Sequence, residues 1–293
     1  MKEEIPVYDI NTTSELRNED VFISRFAPYF KIHTHLHSPH RHNFYHLILF
    51  TKGAGTHTID FQKFTVKPYQ IYFMVPGQVH SWNFDGEVDG YVVNFSTSFF
   101  QSFLLRSNYL DVFSFFTGIV GEAVLEIPEE DRNNVEATFE EMLNEAAHNK
   151  KLKADFIRIL LLKIFILVSR FNTENTNTDT SSSYNQTLLK SFMQLIERNF
   201  TNLRLPKEYA ELLYITPNHL NALCNDMIGI SAGEVIRNRI ALEAKRQLIN
   251  LDLPISDIAY QLNFNDNSYF SKFFKKQVGV TPEEFRKTTL KMK

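Results

Sequence analysis

The most constraining feature of the sequence is a repeat in its last third, at an offset of 50 residues. The segment Gly229–Glu234 (GISAGE) matches Gly279–Glu284 (GVTPEE). In each copy a glycine is placed to end one helix, and Ser231 or Thr281 is placed to cap the next, with a glutamate three residues on. The sequence therefore predicts a helix end followed by a capping box, twice.

Apolar positions upstream of these caps repeat as well. Leu220, Leu223, Cys224 and Met227 pair with Phe270, Phe273, Phe274 and Gln277, Leu212 pairs with Leu262, and Leu205 with Ile255. Ala210 and Ala259, the small residues expected where two helices pack closely, are out of this register by one, so we expect one turn to be a residue longer. Each copy is interpreted as a helix, a short turn and a second helix.

A longer helix, predicted over residues 234–251, connects the two copies. At about 1.5 Å per residue it is a rod of roughly 27 Å, which suits two second helices held about one DNA turn apart, roughly 34 Å. Residues 184–293 carry 15 Lys and Arg against 11 Asp and Glu, whereas the rest of the chain carries 16 against 23. A basic end on an otherwise acidic chain indicates nucleic acid as its partner.

Two stretches of this region resemble a known family. Residues 255–287, ISDIAYQLNFNDNSYFSKFFKKQVGVTPEEFRK, resemble the signature of the AraC/XylS family of transcription regulators, and residues 210–229, AELLYITPNHLNALCNDMIG, match its upstream half. The resemblance implies an α+β chain of two domains. The N-terminal domain is expected to be a cupin-like β-barrel with dimerisation helices, and the C-terminal domain an all-α double helix-turn-helix. Cys224 departs from the family pattern, which has phenylalanine there, so we expect looser packing of the first unit.

The resemblance also implies partners and DNA-contacting residues. The expected partners are double-stranded operator DNA, a small organic effector, a second copy of the chain and RNA polymerase, with activation as the mode of regulation. Base contacts fall on Asn218, Asn221 and Ala222 in the first copy and on Asn267, Ser268 and Lys272 in the second. Asn pairs with adenine edges, Lys with guanine or phosphate, and Ala touches a thymine methyl group. Lys275, Lys276, Arg237 and Arg239 are expected to neutralise phosphates.

A polar stretch divides the chain. Residues 172–186, NTENTNTDTSSSYNQ, hold almost no apolar side chain and predict a flexible linker. We therefore expect a sensory and dimerisation domain over residues 1–171 and a DNA-binding domain over residues 187–293.

The N-terminal domain itself has two kinds of sequence pattern. Residues 21–95 hold short apolar segments punctuated by Gly and Pro, at 44–50, 56–61, 71–75 and 91–95, which is typical of a sandwich or barrel. Residues 97–171 have helical patterns, with a polar helix predicted over 129–147 and an apolar one over 152–171. Because the last of these is apolar on several sides, we expect one side to pack on the barrel and another on a second subunit.

Eight of the ten histidines lie between His33 and His80. His40, His42, His46 and His80 have a spacing similar to the two metal-binding motifs of the cupin superfamily, with His46 in place of a glutamate. Strand alternation aims His40, His42 and His46 to one face, and imidazole suits zinc, copper, iron or nickel. The resemblance implies a sensory pocket without metal, so no cofactor is expected and a divalent metal is the alternative. His33, His35 and His37 are expected in a loop before the barrel.

An organic effector is expected inside the barrel. Tyr45, His46, His80 and Trp82 are the predicted pocket residues, with Phe50, Phe61, Phe73 and Phe95 as further apolar wall. Two other functions compete with this hypothesis: a metal-dependent cupin enzyme fused to a DNA-binding end, and a constitutive architectural DNA binder. The discriminating observations are bound metal after purification and stabilisation by small molecules.

Several classes of protein are excluded by the composition. A single cysteine rules out internal disulfides and fits a reducing cytoplasm. The longest apolar run, residues 159–168, contains a lysine and is too short to span a bilayer. The chain has no Gly-rich phosphate loop and no serine-nucleophile motif, so we expect a cytoplasmic regulator that is not an enzyme and does not enter membranes.

Overall fold

The computed structural model describes residues 6–10, 20–33, 36, 38–101, 109–171, 180–250 and 253–290. The chain divides near residue 177 into two compact units. In these ranges the first unit holds the β-sheets and the second unit is helical. None of the described helices combines the length and the apolar character that crossing a membrane requires.

The first unit is built on two five-stranded sheets. Its strands are Val7–Tyr8 (β1), Val21–Arg25 (β2), His40–His42 (β3), Tyr45–Lys52 (β4), Gly55–Ile59 (β5), Gln62–Thr65 (β6), Gln70–Met74 (β7), Val79–Phe84 (β8), Asp89–Phe95 (β9) and Val124–Glu126 (β10). The first sheet has the order β1-β3-β8-β5-β6 and the second the order β10-β7-β4-β9-β2. The four segments predicted as strands correspond to β4, β5, β7 and β9, and the intervening strands complete the sheets.

The two sheets pack face to face through aromatic side chains. Phe50 of β4 and Phe84 of β8, from opposite sheets, have ring centroids 5.6 Å apart. Phe26 contacts both rings edge-on. Strand pairing among the described residues stays within each sheet, so the predicted barrel is an open, cupin-like sandwich. The two-domain α+β class is confirmed.

Four α-helices of the first unit are described, besides short 3-10 helices: Phe26–Ile32 (α1), Ser98–Gln101 (α2), Arg132–Ala147 (α3) and Lys153–Phe171 (α4). The last two cover the outer face of the second sheet, where Tyr91 stacks on Phe139 of α3 and Phe73 meets Phe165 of α4. Strand alternation sends Tyr45 into this helix-facing core and His46 toward the other sheet. The helices predicted over 129–147 and 152–171 thus form close to their expected bounds.

The second unit contains seven described helices. They are Thr180–Asn199 (α5), Pro206–Leu212 (α6), Pro217–Ile228 (α7), Ala232–Leu248 (α8), Ile255–Gln261 (α9), Asn267–Val278 (α10) and Pro282–Leu290 (α11). Helix α8 is the predicted connecting rod, and it contributes Ile236, Ile240, Ala244 and Leu248 to the buried core of the unit. The remaining helices pack around this central apolar face.

The predicted linker is shorter than its sequence suggests. Helix α5 begins at Thr180, so residues 180–186 are helical, and residues 172–179 lie outside the described part of the chain. Farther along, Leu188, Phe192 and Ile196 are buried in the core of the second unit. Burial of these three side chains stabilises α5. Once formed, the helix extends towards its N-terminus into the polar residues 180–186, which have no apolar stripe.

Candidate functional sites

Each pair α6–α7 and α9–α10 is joined by the same tight turn. Ile215 N donates to Ala210 O at 3.0 Å, and Phe264 N donates to Ala259 O at 2.8 Å. The residue before each donor has a left-handed backbone, with φ 55° at Tyr214 and 58° at Asn263. The two alanines are therefore equivalent, and up to this turn the offset between the copies is 49 residues.

This register corrects two of the predicted pairings. The equivalent of the buried Leu262 is Leu213, and Leu212, its partner in the predicted pairing, is 47% exposed. Leu205 is likewise exposed and caps α6, which makes Pro254 its equivalent and not Ile255. The apolar pattern alone did not separate neighbouring leucines, because both fit a helical period within one turn.

The offset returns to 50 residues at the start of the second helices. Thr216 Oγ1 accepts a hydrogen bond from His219 N at 3.1 Å, and Asp266 Oδ1 accepts one from Tyr269 N at 2.7 Å. Asn265 is thus the extra residue of the second turn, as the shifted alanines predicted. Both caps fix where the second helix begins, and so where its exposed side chains point.

The predicted ends of the second helices are confirmed. Gly229 and Gly279 adopt left-handed conformations, with φ 75° and 90°. Thr281 forms the full capping box, since Glu284 N donates to its Oγ1 and its own N donates to Glu284 Oε2 at 2.7 Å. At Ser231, Oγ accepts from Glu234 N at 3.3 Å, which is one half of the predicted capping box.

Helix α7 exposes part of the predicted base-contacting set. Asn218 and Ala222 are exposed to solvent on this helix. Asn221 is half-buried, and its Oδ1 accepts a hydrogen bond from Ala232 N at 3.1 Å. This bond holds the first turn of α8, so we assign Asn221 to the structure of the unit rather than to base contact. The exposed His219 lies beside Asn218 and was missed from the sequence.

Helix α10 exposes all of its predicted residues. Asn267, Ser268 and Lys272 are exposed near its start, and Lys275 and Lys276 near its end. Tyr269 is 60% exposed on the same helix and was not among the predicted contacts. An exposed aromatic ring inside a basic, polar helix face was the signal that could have identified it.

The two arginines of α8 differ in their surroundings. Arg237 is exposed, as a phosphate contact requires. The side chain of Arg239 is only 12% exposed: Nε pairs with Glu197 at 2.7 Å and Nη1 with Glu243 at 3.1 Å, and its guanidinium lies 4.0 Å from the centroid of the Phe200 ring. Arg239 therefore stabilises the interior of the second unit, and we remove it from the predicted phosphate contacts.

Another arginine joins the two copies to each other. Arg204, which precedes α6, donates from Nη2 to Asn263 O at 2.9 Å and also to Leu262 O, in the turn of the second copy. Its guanidinium carbon lies 4.0 Å from the centroid of the Phe264 ring. The first copy thus holds the turn that orients α10.

The first unit holds a cluster of five buried histidines between its sheets. His40, His42, His46, His57 and His80 are each 0–3% exposed. Strand register brings His40 opposite His80 in the β3–β8 pair, and the two ring centroids are 4.2 Å apart. One ring nitrogen from each of His40, His42 and His80 lies within 4.8 Å of the others, and His46 is outside this group.

Three hydrogen bonds orient these rings. His40 Nδ1 donates to Ser38 O at 2.8 Å, His46 Nδ1 pairs with Asn94 Oδ1 on the neighbouring strand, and His57 Nε2 pairs with His80 Nδ1 at 3.2 Å. Burial lowers the pKa of His46 to about 4, and burial together with neighbouring imidazoles lowers the pKa values of His57 and His80 well below 6.5. These rings are therefore neutral at pH 7. His57 was missed, although its place in the alternating segment Thr56-His57-Thr58 aimed it inward.

The predicted effector pocket does not come together as a set. Trp82, His46 and His80 face the space between the sheets, where the Trp82 ring centroid is 4.9 Å from that of His80. Tyr45 lies on the opposite face of its sheet and stacks on Phe95 at 4.9 Å. Phe73 shares this helix-facing core, while Phe61 is 40% exposed.

The N-terminal histidines before the sandwich are only partly described. His33 follows α1, with its ring centroid 4.6 Å from that of Tyr29. His35 and His37 lie outside the described residues.

Two family models match the chain, one on each side of the division near residue 177. Residues 24–165 match an AraC-like ligand binding domain, and residues 209–288 match a helix-turn-helix domain. The chain belongs to the AraC family of transcription regulators. As an AraC-family protein with both domains, it is a ligand-responsive DNA-binding regulator.

Curated relatives of this AraC-family chain include two transcriptional activators. RhaR of Mannheimia succiniciproducens is 19% identical over 284 residues, which cover 94% of this chain and 98% of RhaR. AarP of Providencia stuartii is 29% identical over 105 residues, or 36% of this chain and 78% of AarP. Among solved structures, ToxT of Vibrio cholerae matches with a TM-score of 0.42 and 16% identity, covering 91% of this chain and 96% of ToxT.

Proposed function

We propose that the chain is a cytoplasmic transcription activator that binds operator DNA as a homodimer and has no catalytic activity. The names of its relatives RhaR and AarP, both activators, support the sign of regulation. RNA polymerase is the partner that activation requires. An enzymatic role for the histidine cluster is not favoured, since its side chains are at most 3% exposed to solvent.

The observation that carries the proposal is the matched pair of capped second helices. In both copies the turn and the side-chain cap set the start of α7 or α10, and polar or basic side chains are then exposed on it. A helix presented in this way by a tight two-helix unit fits the DNA major groove. The proposed base contacts are Asn218, Ala222, Asn267, Ser268 and Lys272, with Lys275, Lys276 and Arg237 at phosphates.

The DNA contacts are tested on the full-length protein. A preferred sequence is first selected from random double-stranded DNA, and binding is then measured for Lys272→Ala. Loss of a base contact should weaken binding by about 1–3 kcal/mol, roughly 5- to 150-fold, and relax the preference at one position. Lys276→Ala should weaken binding to all sequences equally and lower its salt dependence.

The matched control removes a lysine elsewhere in the same unit. Lys287 is exposed on α11, and Lys287→Ala changes the net charge by the same amount. It should leave the sequence preference of the protein unchanged. Equal effects of Lys272→Ala and Lys287→Ala on affinity and preference would show that α10 is not the DNA-reading helix.

Dimerisation is proposed through the outer side of α4. Ile159, Leu162, Ile166 and Leu167 form an apolar groove there, bordered by Lys163 and Arg170. Ile159 is 52% exposed although it lies on a helix whose opposite side is core. An apolar stripe of this kind indicates a protein partner, and a second copy of the chain would let two DNA-binding domains reach two half-sites of an operator.

The dimer is tested by sedimentation equilibrium of full-length Ile159→Glu. Because Ile159 is half-exposed in the isolated chain, the charge should prevent association while the fold remains. Gln62→Glu, on exposed strand β6, introduces the same charge away from α4 and should leave the dimer intact. A wild-type protein that is monomeric at tens of micromolar would refute the assignment.

Regulation is proposed to start from a ligand held between the two sheets. His46, His80 and Trp82 are the predicted pocket residues that face this space. A small organic effector, as expected from the family, would have to open the aromatic packing around Trp82. Its binding can alter DNA affinity only through different affinities for the DNA-competent and DNA-incompetent states.

A further inference from the structure

We propose that the histidine cluster binds a divalent transition-metal ion of the zinc type, with His40, His42 and His80 as ligands. This inference places a metal ion, in place of the organic effector expected from the family, between the sheets of the regulator described above, and its regulatory meaning rests on that proposed function. The metal site itself is argued from the side chains between the sheets. It can be tested without DNA.

The three ligands converge from two neighbouring strands. His40 and His42 are two apart on β3, so they face the same side, and His80 is opposite His40 on β8. One nitrogen from each ring lies within 4.8 Å of the others. At a zinc–nitrogen distance of about 2.0–2.1 Å, tetrahedral ligands are roughly 3.4 Å apart. Side-chain torsions therefore need to bring the rings together by roughly 1.4 Å at most.

Hydrogen bonds to groups other than the three ligands leave the correct ring nitrogens of His40 and His80 available to a metal. His40 Nδ1 donates to a backbone carbonyl, Ser38 O, so the neutral ring presents a lone pair at Nε2. When His80 Nδ1 donates to His57 Nε2, His80 also presents its Nε2 lone pair. Metal-bound histidines are usually held by such a bond from the second ring nitrogen. His57 is therefore a positioning residue for His80.

Burial gives an independent reason to expect a ligand. Among the described residues, His80 Nε2 and Trp82 Nε1 are buried and have no hydrogen-bond partner. Leaving a polar atom unsatisfied in the interior destabilises the fold. Coordination of a metal by His80 Nε2 would satisfy that nitrogen.

The surrounding packing favours an ion over an organic molecule. The Trp82 ring centroid is 5.6 Å from that of Phe26, 5.8 Å from Phe30 and 4.9 Å from His80. An ion needs only the space between the imidazoles, whereas a multi-atom ligand would displace one of these rings. Neutral imidazoles select zinc, nickel, copper or cobalt over magnesium or calcium.

The three histidines leave the coordination of the bound ion incomplete. Three neutral imidazoles do not compensate its double positive charge, and zinc sites are usually four-coordinate. Water or a small anion would complete the coordination. This places the chemistry of an open metal site in the ligand-binding unit of the protein.

The experiment uses full-length protein, purified without a histidine tag and stripped with EDTA. Zinc is titrated by calorimetry, and cobalt, copper and nickel by absorption and by quenching of tryptophan emission. Trp82 is the only tryptophan of the chain and its ring lies 5.4 Å from that of His40. We expect one ion per chain, a cobalt spectrum of nitrogen ligation, and quenching of Trp82 by copper but not by zinc.

Variants assign the ligands. His80→Gln and His42→Gln should each weaken binding by at least tenfold, and His57→Leu by about 10- to 100-fold. His57→Gln keeps an acceptor for His80 Nδ1 and should restore much of the affinity. His148→Gln removes an exposed histidine of the same unit and should bind as the wild type does. Thermal unfolding of each metal-free variant, followed by Trp82 emission, confirms that it folds.

Three outcomes would overturn the proposal. They are the absence of saturable one-to-one binding of any of the four metals, binding that is unchanged in both His80→Gln and His42→Gln, and binding that is lost in His148→Gln. A stripped protein that binds no metal but is stabilised by an organic molecule would also reject it, and would identify the other class of effector. DNA binding by the same sample separates each of these failures from a failure of the proposed regulatory function.

Discussion

Replacing Arg204 tests whether the two helix-turn-helix copies are mechanically joined. Arg204→Met keeps most of the length of the side chain and removes the charge. The hydrogen bonds to Leu262 O and Asn263 O are lost, as is the contact with the Phe264 ring. Because all three partners lie in or next to the turn before α10, the change should loosen that turn specifically.

The expected magnitude follows from these contacts. Hydrogen bonds from a charged donor contribute about 1.5–3 kcal/mol and a cation–π contact about 0.5–2 kcal/mol. The side chain is half-buried, and water can replace part of what is lost at Asn263 O. We therefore expect the free energy of unfolding of the second unit to fall by about 2 kcal/mol, which for a unit of this size is a midpoint shift of about 8 °C.

Two optical signals separate the units in the intact protein. Tryptophan emission follows the first unit, where Trp82 lies between the sheets, and circular dichroism at 222 nm reports mainly on the second unit, which holds most of the described helical residues. Arg204→Met should lower the helical transition and leave the tryptophan transition in place. Lys207→Met, at an exposed position on α6, is the control for loss of one charge. A shift no larger than that of Lys207→Met would refute the proposed role of Arg204 in joining the two copies.

Three further changes should have separate signatures. In Gly90→Ala the new Cβ would lie 1.9 Å from Leu49 O at a φ of 155°, so the first unit should lose about 3 kcal/mol or more, seen as a lower urea midpoint of tryptophan emission. Asp266→Ala removes the cap of α10 and should cost about 1 kcal/mol of stability and weaken DNA binding in a mobility-shift assay. Burial raises the pKa of Asp89, but the hydrogen bond and charge of Arg25, with backbone N–H groups, outweigh it and hold that pKa below its ordinary value. A lowered pKa stabilises the folded state above about pH 4, and this stabilisation is lost as the pH falls through the pKa of the folded state. In Asp89→Asn the free energy of unfolding, measured by acid titration, should therefore fall less steeply with decreasing pH.

The sequence by itself determined the local features of the second unit. Caps, helix ends and the one-residue difference between the turns follow from the chemistry of Thr, Asp, Ser and Gly at fixed positions, and these residues act on backbone atoms three or four residues away. The same is true of the outward residues of α10, since a capped amphipathic helix has only one face left for solvent. The resemblance to the AraC/XylS family added the expectation that the N-terminal domain is cupin-like and sensory. Local sequence patterns predict these features because each of the interactions joins residues that are close in sequence.

Only the tertiary structure decided which side chains meet across the chain. Tyr45 and His46 are neighbours in sequence, yet one faces the helices and the other the opposite sheet. Arg239 was a predicted phosphate contact because it is a basic residue of the connecting helix. Glu197, 42 residues earlier in the chain, forms an ion pair with it and keeps its guanidinium largely buried. His57 joins the cluster through His80, because the β5–β8 register places these strands side by side. The physical reason is common to all three: burial and partnership depend on the packing of distant elements, and hydrophobic periodicity does not encode which elements will pack together.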